Sequence, residues 1–286
     1  MWNEFPRFFR IPLSDWIDAL MDWVLTHWGA FFDAFGDVLL KILLVIEAFF
    51  LWLPWPVTVA AVWLAAWWAL RRWWAGPAMA LLFILIGSFG YWNLAMMTIA
   101  IVVSAVVISL MVGIPAGIVM AWSDWVESTV RPVLDAMQTM PSFVYLIPAL
   151  MLFGLGKVPA VFATIVYAMP PVIRLTNVGI RQVPKSIIEA EAFGANRWQV
   201  LFHVQIPLAK PSIMVGINQT TMMALSMVVI SSMIGARGLG LEVLLAINRI
   251  EVGRGFEAGL SIVFLAIVID RITNALAARQ RHRETA

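Results

Sequence analysis

The sequence predicts an all-α polytopic membrane protein, with about seven transmembrane helices and an N-terminal amphipathic interfacial helix. Three observations predict it. First, 62% of the 286 residues are hydrophobic and 13% charged, a balance whose apolar surface no soluble domain of this size hides. Second, apolar runs of membrane-crossing length recur between short polar segments. Third, fifteen tryptophans suit helix ends at the lipid headgroups, where indoles collect. A tryptophan-lined carbohydrate or nucleic-acid site is the weaker alternative.

Residues 1–53 come first and form an extracytoplasmic tail. They open with Asp15, Asp18 and Asp22 among Trp and Leu, without the apolar stretch of a cleavable signal peptide. Ile17, Leu20, Val24, Trp28, Phe31, Phe35 and Val38 then recur at helical spacing. That pattern predicts an amphipathic helix lying in a membrane interface, with a soluble helix packed on its own protein as the alternative. KILLVIEAFFLWLPW reads as a further interfacial helix, because Lys41, Glu47 and the Pro54/Pro56 pair interrupt it. Seven spans come next, at 54–70, 75–91, 94–121, 141–156, 158–176, 212–234 and 258–274. Pro115, Pro148 and Pro170-Pro171 mark places where spans bend. Gly113-x-x-x-Gly117 permits close approach of a neighbouring helix. Gly235, Gly238 and Gly240 predict a flexible outer loop, and Asp270-Arg271 a local pair closing the last span.

Arg and Lys set the orientation. Arg71-Arg72, then Arg174, Arg181, Lys185, Arg197 and Lys210, then Arg271, Arg279, Arg281 and Arg283 fall on one side of a seven-span chain. That side is cytoplasmic, so the N-terminus is outside and the C-terminus inside. Arg237, Arg249 and Arg254 in the outer loop 235–257 run against this trend. The basic tail 275–286 suits anionic lipid better than nucleic acid.

Between the fifth and sixth spans lies a polar stretch, IIEAEAFGANRWQVLFHVQIPL. Ser186-x-x-Glu189 is a capping box that starts a helix, and Gly194 ends it. Asn196, with Gln199 three residues on, starts a second helix, and Pro207 is expected to stop it. The product is a cytoplasmic helix–Gly–helix hairpin carrying Trp198, Leu201, Phe202 and Val204. It suits seating in a groove on a soluble partner; a linker lying on the membrane surface is the plain alternative. The chain has no phosphate loop of its own.

The stretch resembles the EAA…G…I-x-L-P signature of ABC-importer permeases: Glu189, Ala190, Gly194, then Val204-x-Ile206-Pro207. RIPLSDWIDALMDW, LDAMQTMPSFVYLIPAL, YAMPPVIRLTNVGIRQVP, FHVQIPLAKPSIMVGINQT, ALSMVVISSMIGARGLG and AIVIDRIT extend the resemblance to the permease subunits of glycine betaine/proline-betaine importers, over most of the chain. The family pattern has one more residue between the Glu-Ala pair and the glycine, and removing one helical residue turns the rest of the helix by about 100°. The resemblance implies a type I ABC importer permease fold, with peripheral helices at 54–91, a core permease domain at 92–274 and a coupling loop at 177–210. It implies a second copy of the permease, two ATP-binding subunits that hold the ATP and Mg, and an extracytoplasmic substrate-binding protein. ATPase coupling then falls to Glu189, Ala190, Phe193, Gly194, Asn196, Arg197, Trp198, Leu201, Val204 and Pro207.

The implied cargo is a quaternary-ammonium zwitterion, which aromatic faces suit. Polar and aromatic residues in the spans are pathway candidates: Gln138, Phe143, Tyr145, Tyr167, Asn218, Gln219, Thr220, Thr221, Ser226, Ser231 and Ser232. Helix–helix hydrogen bonding is the alternative for each. The chain has no cysteine and its three histidines lack ligand spacing, so neither a metal site nor catalysis is expected. An ion-coupled secondary transporter would need mid-span carboxylates or an inverted repeat, and neither is visible. A channel or scaffold leaves the hairpin without a role.

Overall fold

A computed structural model describes residues 11–184 and 196–284, with side chains as far as 277. Every regular element among them is helical. The chain starts with α1, Leu13–Trp52, a single helix of 40 residues, or about 60 Å at 1.5 Å per residue. This corrects the expected division into two interfacial pieces. The first half leaves Ile17, Leu20, Trp28 and Phe31 exposed. The second half buries Gly36, Leu39, Leu43 and Glu47. Glu47 does not interrupt the helix because Lys157 Nζ donates to both its carboxylate oxygens at 2.7 Å.

Two short apolar helices come after it, α2 (Trp55–Leu70) and α3 (Ala75–Ser88). At 16 and 14 residues they are about 24 and 21 Å long, under the ~30 Å of a hydrocarbon core. Helix α4, Trp92–Trp122, runs unbroken through Pro115. Helix α5, Asp124–Thr139, occupies the expected connection between the third and fourth spans. Its signals are present in the sequence: Ser123 caps it by accepting from Val126 N at 3.4 Å, and Asp124 and Glu127 fill the first turn. After Met140-Pro141 the chain turns by 111° through Ser142–Tyr145 into α6, Leu146–Phe153.

Helices α7 (Lys157–Ala168) and α8 (Pro170–Arg181) make one path broken at the double proline. Beyond the undescribed residues come α9 (Arg197–Val200), a π-helical turn (Leu201–Gln205) and α10 (Ile206–Ser231). Helix α11, Leu239–Arg249, and α12, Val252–Glu284, complete the chain's described helices. Four stretches are long and apolar enough to cross a membrane: Trp92–Trp122, Lys157–Arg181, Arg197–Ile234 and Val252–Ala277. The bent pair of α5 with Ser142–Phe153 makes a fifth. All seven expected spans contain helix; among the described residues four, or five with the bent pair, are long and apolar enough to cross a membrane, and α2 and α3 are shorter apolar helices.

Helix α8 is wedged between α4 and α10. Close approach is possible because a β-carbon at Gly113 would stand 2.5 Å from Val172 Cγ1, and one at Gly117 2.7 Å from the Ile173 carbonyl oxygen. The small-x-x-x-small pattern therefore finds its partner in α8. At the other end, Gly238 packs on Thr98, whose hydroxyl accepts from Leu239 N at 2.9 Å. Of the three glycines in this loop, Gly238 packs on α4 and Gly240 on Val228 and Val229 of α10.

Candidate functional site

The end expected to face inward is built around α9. Asn196 Oδ1 accepts from Trp198 N at 3.4 Å, and Asn196 N donates to Gln199 Oε1 at 2.8 Å. The two side chains close the helix start reciprocally, as their spacing predicts. The expected stop at Pro207 is not found. The helix widens to a π turn over Leu201–Gln205 and continues as α10, with Pro207 its second residue. A proline interrupts the hydrogen-bond ladder and crowds the preceding turn; the wider turn accommodates both, and the chain stays helical.

This turn sorts the expected coupling residues. Leu201 is fully buried with Ile180, Ala209 and Ile213, so it anchors the segment to α8 and α10 and offers no surface to a partner. Arg197 and Pro207 are exposed, and Val204 is half-buried. Trp198 and Phe202 are 56% and 57% exposed and stack with ring centroids 6.0 Å apart. Trp122, from the end of α4, meets Trp198 edge-on at 4.9 Å. The sequence alone does not single out Trp122, because no local spacing links two residues so far apart in the chain. Glu189, Ala190, Phe193 and Gly194, with the Ser186 capping box, lie outside the described residues.

A polar lattice ties α5 to α8 beside this cluster. Arg181 donates to Asp124 Oδ1 at 2.6 Å, to Asn177 Oδ1 at 3.1 Å and to the Met120 carbonyl at 3.1 Å, and it pairs with Glu127 at 3.1 Å. Asn177 Nδ2 also donates to Glu127 Oε1 at 3.1 Å. Further along the same two helices, Arg174 pairs with Asp135.

Between α5, α8 and α10 a cavity of about 530 Å³ opens, lined by Gln138, Arg174, Asn218, Gln219, Met222 and Met223 among others. Three of the expected pathway residues, Gln138, Asn218 and Gln219, thus meet in one place. Gln219 is exposed at the midpoint of the 26-residue α10. Val215 and Ser226 are exposed on the same face, at helical spacing from it. Tyr145 and Tyr167 pair edge-on at 5.8 Å, and the Tyr145 hydroxyl donates to the carbonyl of Met137, next to Gln138. Phe143 is exposed.

The remaining candidates point elsewhere. Thr221 is buried on another face of α10, where it donates to the Ile217 carbonyl and lines a separate, almost wholly apolar cavity. Thr220 is fully buried and its hydroxyl has no hydrogen-bond partner among the described residues. Ser231 and Ser232 donate to the Val228 and Val229 carbonyls. The polar residues of this span therefore do not form one lining. Asp270 does not pair with Arg271, since adjacent helical residues diverge. It accepts from Asn274 Nδ2 at 2.6 Å and from Asn218 Nδ2 at 3.5 Å. Arg254, whose charge runs against the expected orientation, is paired with Glu242 at 2.6 Å and Glu251 at 3.2 Å.

Known proteins resemble this chain in sequence and in fold. Residues 113–282 match the family described as the binding-protein-dependent transport system inner membrane component. The chain is 45% identical over 281 residues to the glycine betaine transport system permease protein OpuAB of Bacillus subtilis, covering 97% of this chain and 98% of that one. It is 46% identical over 274 residues to the glycine betaine/proline betaine transport system permease protein ProW of Escherichia coli, covering 96% and 77%. Among solved structures it resembles a chain of the MetNI methionine ABC transporter in inward-facing conformations. The TM-score is 0.57 at 19% identity, covering 64% of this chain and 92% of that chain.

Proposed function

The chain belongs to the binding-protein-dependent transport inner membrane component family, and from that premise we propose that it carries glycine betaine or a related quaternary-ammonium osmolyte inward through the cavity between α5, α8 and α10. It is a permease subunit of an ABC importer, in the inner membrane. An ion-coupled secondary transporter is not supported. The observation that carries the pathway is Gln219, exposed at mid-helix beside Gln138, Arg174 and Asn218. A polar side chain at that depth is costly against lipid, so it faces water or protein. The open face of α10 therefore adjoins an aqueous path, and a second copy of the chain completes its wall.

In this reading two ATP-binding subunits seat on the inner faces of the two copies and hold the ATP and Mg. Trp198 and Phe202, with Trp122 beside them, supply exposed apolar rings to that contact, while Leu201 transmits movement into α8 and α10. An extracytoplasmic binding protein delivers the cargo. Seven crossings, with α2 and α3 as a short hairpin, put the N-terminus outside and the C-terminus inside. The basic residues Arg71, Arg181 and Lys210 support that orientation.

The test is uptake of radiolabelled glycine betaine into liposomes holding this chain, its cognate ATPase and its binding protein. Uptake should require ATP on the ATPase side. Uptake driven by a sodium or proton gradient without ATP contradicts the reading.

A further inference from the structure

The Arg174–Asp135 pair joins α8 to α5 apart from the lattice around Arg181, and Arg174 of the two lines the cavity between α5, α8 and α10. Arg181, Asp124, Glu127 and Asn177 satisfy one another nearer the inner end, and Arg131 also pairs with Glu127. Arg174 instead lines the cavity, held by Asp135. Its side chain is 38% exposed and that of Asp135 55%. Gln138 is three residues beyond Asp135, so both lie on one side of α5. Gln219 adds a neutral donor and acceptor from α10, Asn218 being engaged with Asp270 and Thr273, and Met222 and Met223 a soft apolar wall.

We propose that this ion pair is a reversible site for a zwitterion, in which the cargo's carboxylate takes Arg174 from Asp135 and its quaternary ammonium then faces the freed Asp135. The proposal rests on the transport reading above and names the groups that hold the cargo in transit. Three physical points carry it. Two partly exposed charges bind each other weakly, so the pair opens at small cost. The exchange brings no net charge into the membrane, because one plus–minus pair is replaced by two. A cation without a carboxylate gains no such exchange, since it would leave Arg174 unpaired and repelling it. The result is selection for zwitterions with low affinity, which lets the cargo leave. The cavity's volume is within the range of small-molecule sites, with room for water beside a trimethylated amino acid. Pro171 also lines it, so Arg174 lies one turn beyond the α7–α8 break and moves with it.

The experiment uses the assembled permease–ATPase complex. Binding of glycine betaine and of choline is measured on the purified complex without the binding protein, and glycine betaine uptake on the same complex in liposomes with it. Co-purification of the ATPase verifies assembly of each variant. Asp135→Asn frees Arg174 for the carboxylate but removes the ammonium's partner, so glycine betaine binding should change by less than about fivefold, while choline, which gains nothing from Arg174, should bind more weakly and maximal uptake should fall. Arg174→Gln should abolish the preference for glycine betaine over choline, and Arg174→Lys should keep part of it. The proposal is overturned if both neutralising variants lower uptake with the two ligands' relative binding unchanged, the outcome of a plain clamp between α5 and α8. It is also overturned if the double variant Asp135→Asn/Arg174→Gln keeps wild-type uptake. A wild-type complex that takes up no glycine betaine removes the transport reading as well, whereas active wild type with unaffected variants removes this inference alone.

Discussion

A β-carbon at Gly117 would stand 2.6 Å from Thr176 Cβ and 2.7 Å from the Ile173 carbonyl oxygen, a backbone atom that cannot swing away. Gly117→Ala should therefore lower the unfolding temperature of the detergent-purified chain. The overpacking cost of about 1–3 kcal/mol outweighs the roughly 1 kcal/mol by which alanine favours helix. Gly29→Ala is the matched control. Nothing lies within 4 Å of that position, so the same change should leave stability equal or raised. An equal effect at both positions would mean that α4 and α8 do not meet as described. The small-residue spacing is legible in the sequence because it repeats every four residues; its partner is not. Distance along the chain explains the difference elsewhere too. Asn196 and Gln199, three apart, are readable as a cap. Arg174 is visible only as a positive charge, because Asp135 lies 39 positions before it.

Helix α1 makes the same point for whole elements. An acid in an apolar run reads as an interruption when its partner is 110 positions away. With Lys157 in place, Glu47 is 6% exposed and joins α1 to the start of α7. Removing either partner leaves a charge uncompensated, at a cost of about 3–5 kcal/mol for a buried pair and less here because Lys157 keeps some exposure. Glu47→Gln and Lys157→Gln should each speed hydrogen exchange through the second half of α1. The double variant Glu47→Gln/Lys157→Gln should restore much of the protection. Protection that falls further in the double variant would show that the two side chains act separately. Pro207 misleads for a related reason. Proline normally ends a soluble helix, but the π turn at Leu201–Gln205 accommodates it, and the sequence carries no mark of that turn. The long apolar spans are legible because composition alone decides them. The same holds for α2 and α3, whose apolar runs the sequence places, whereas α5 is marked only by its Ser123 cap and acidic first turn.

Across the whole molecule the charged and aromatic groups sort by end. The lattice of Arg181, Asp124 and Glu127 and the rings of Trp122, Trp198 and Phe202 lie where α4 ends, α8 ends and α9 begins. Arg254, Glu242 and Glu251 close the opposite end. Between them α8 runs from the double-proline break beside the cavity to the lattice of Arg181. Leu201, next to α9, packs on Ile180 of α8 and on Ala209 and Ile213 of α10, and in the proposed function this packing is the route by which a push on α9 reaches the cavity. Orientation and partner docking rest on charge distribution and family membership. Because the sequence contains no cysteine, a single thiol reports on both without background. The most direct measurement is labelling and crosslinking of Trp198→Cys in sealed cells and in the assembled complex. A docking face on the inner side predicts that a membrane-impermeant thiol reagent reaches this thiol only after the inner face is opened, and that the thiol crosslinks to the ATP-binding subunit. Labelling from the outer face of sealed cells, or no crosslink in a complex that hydrolyses ATP, would contradict inner-side docking through α9.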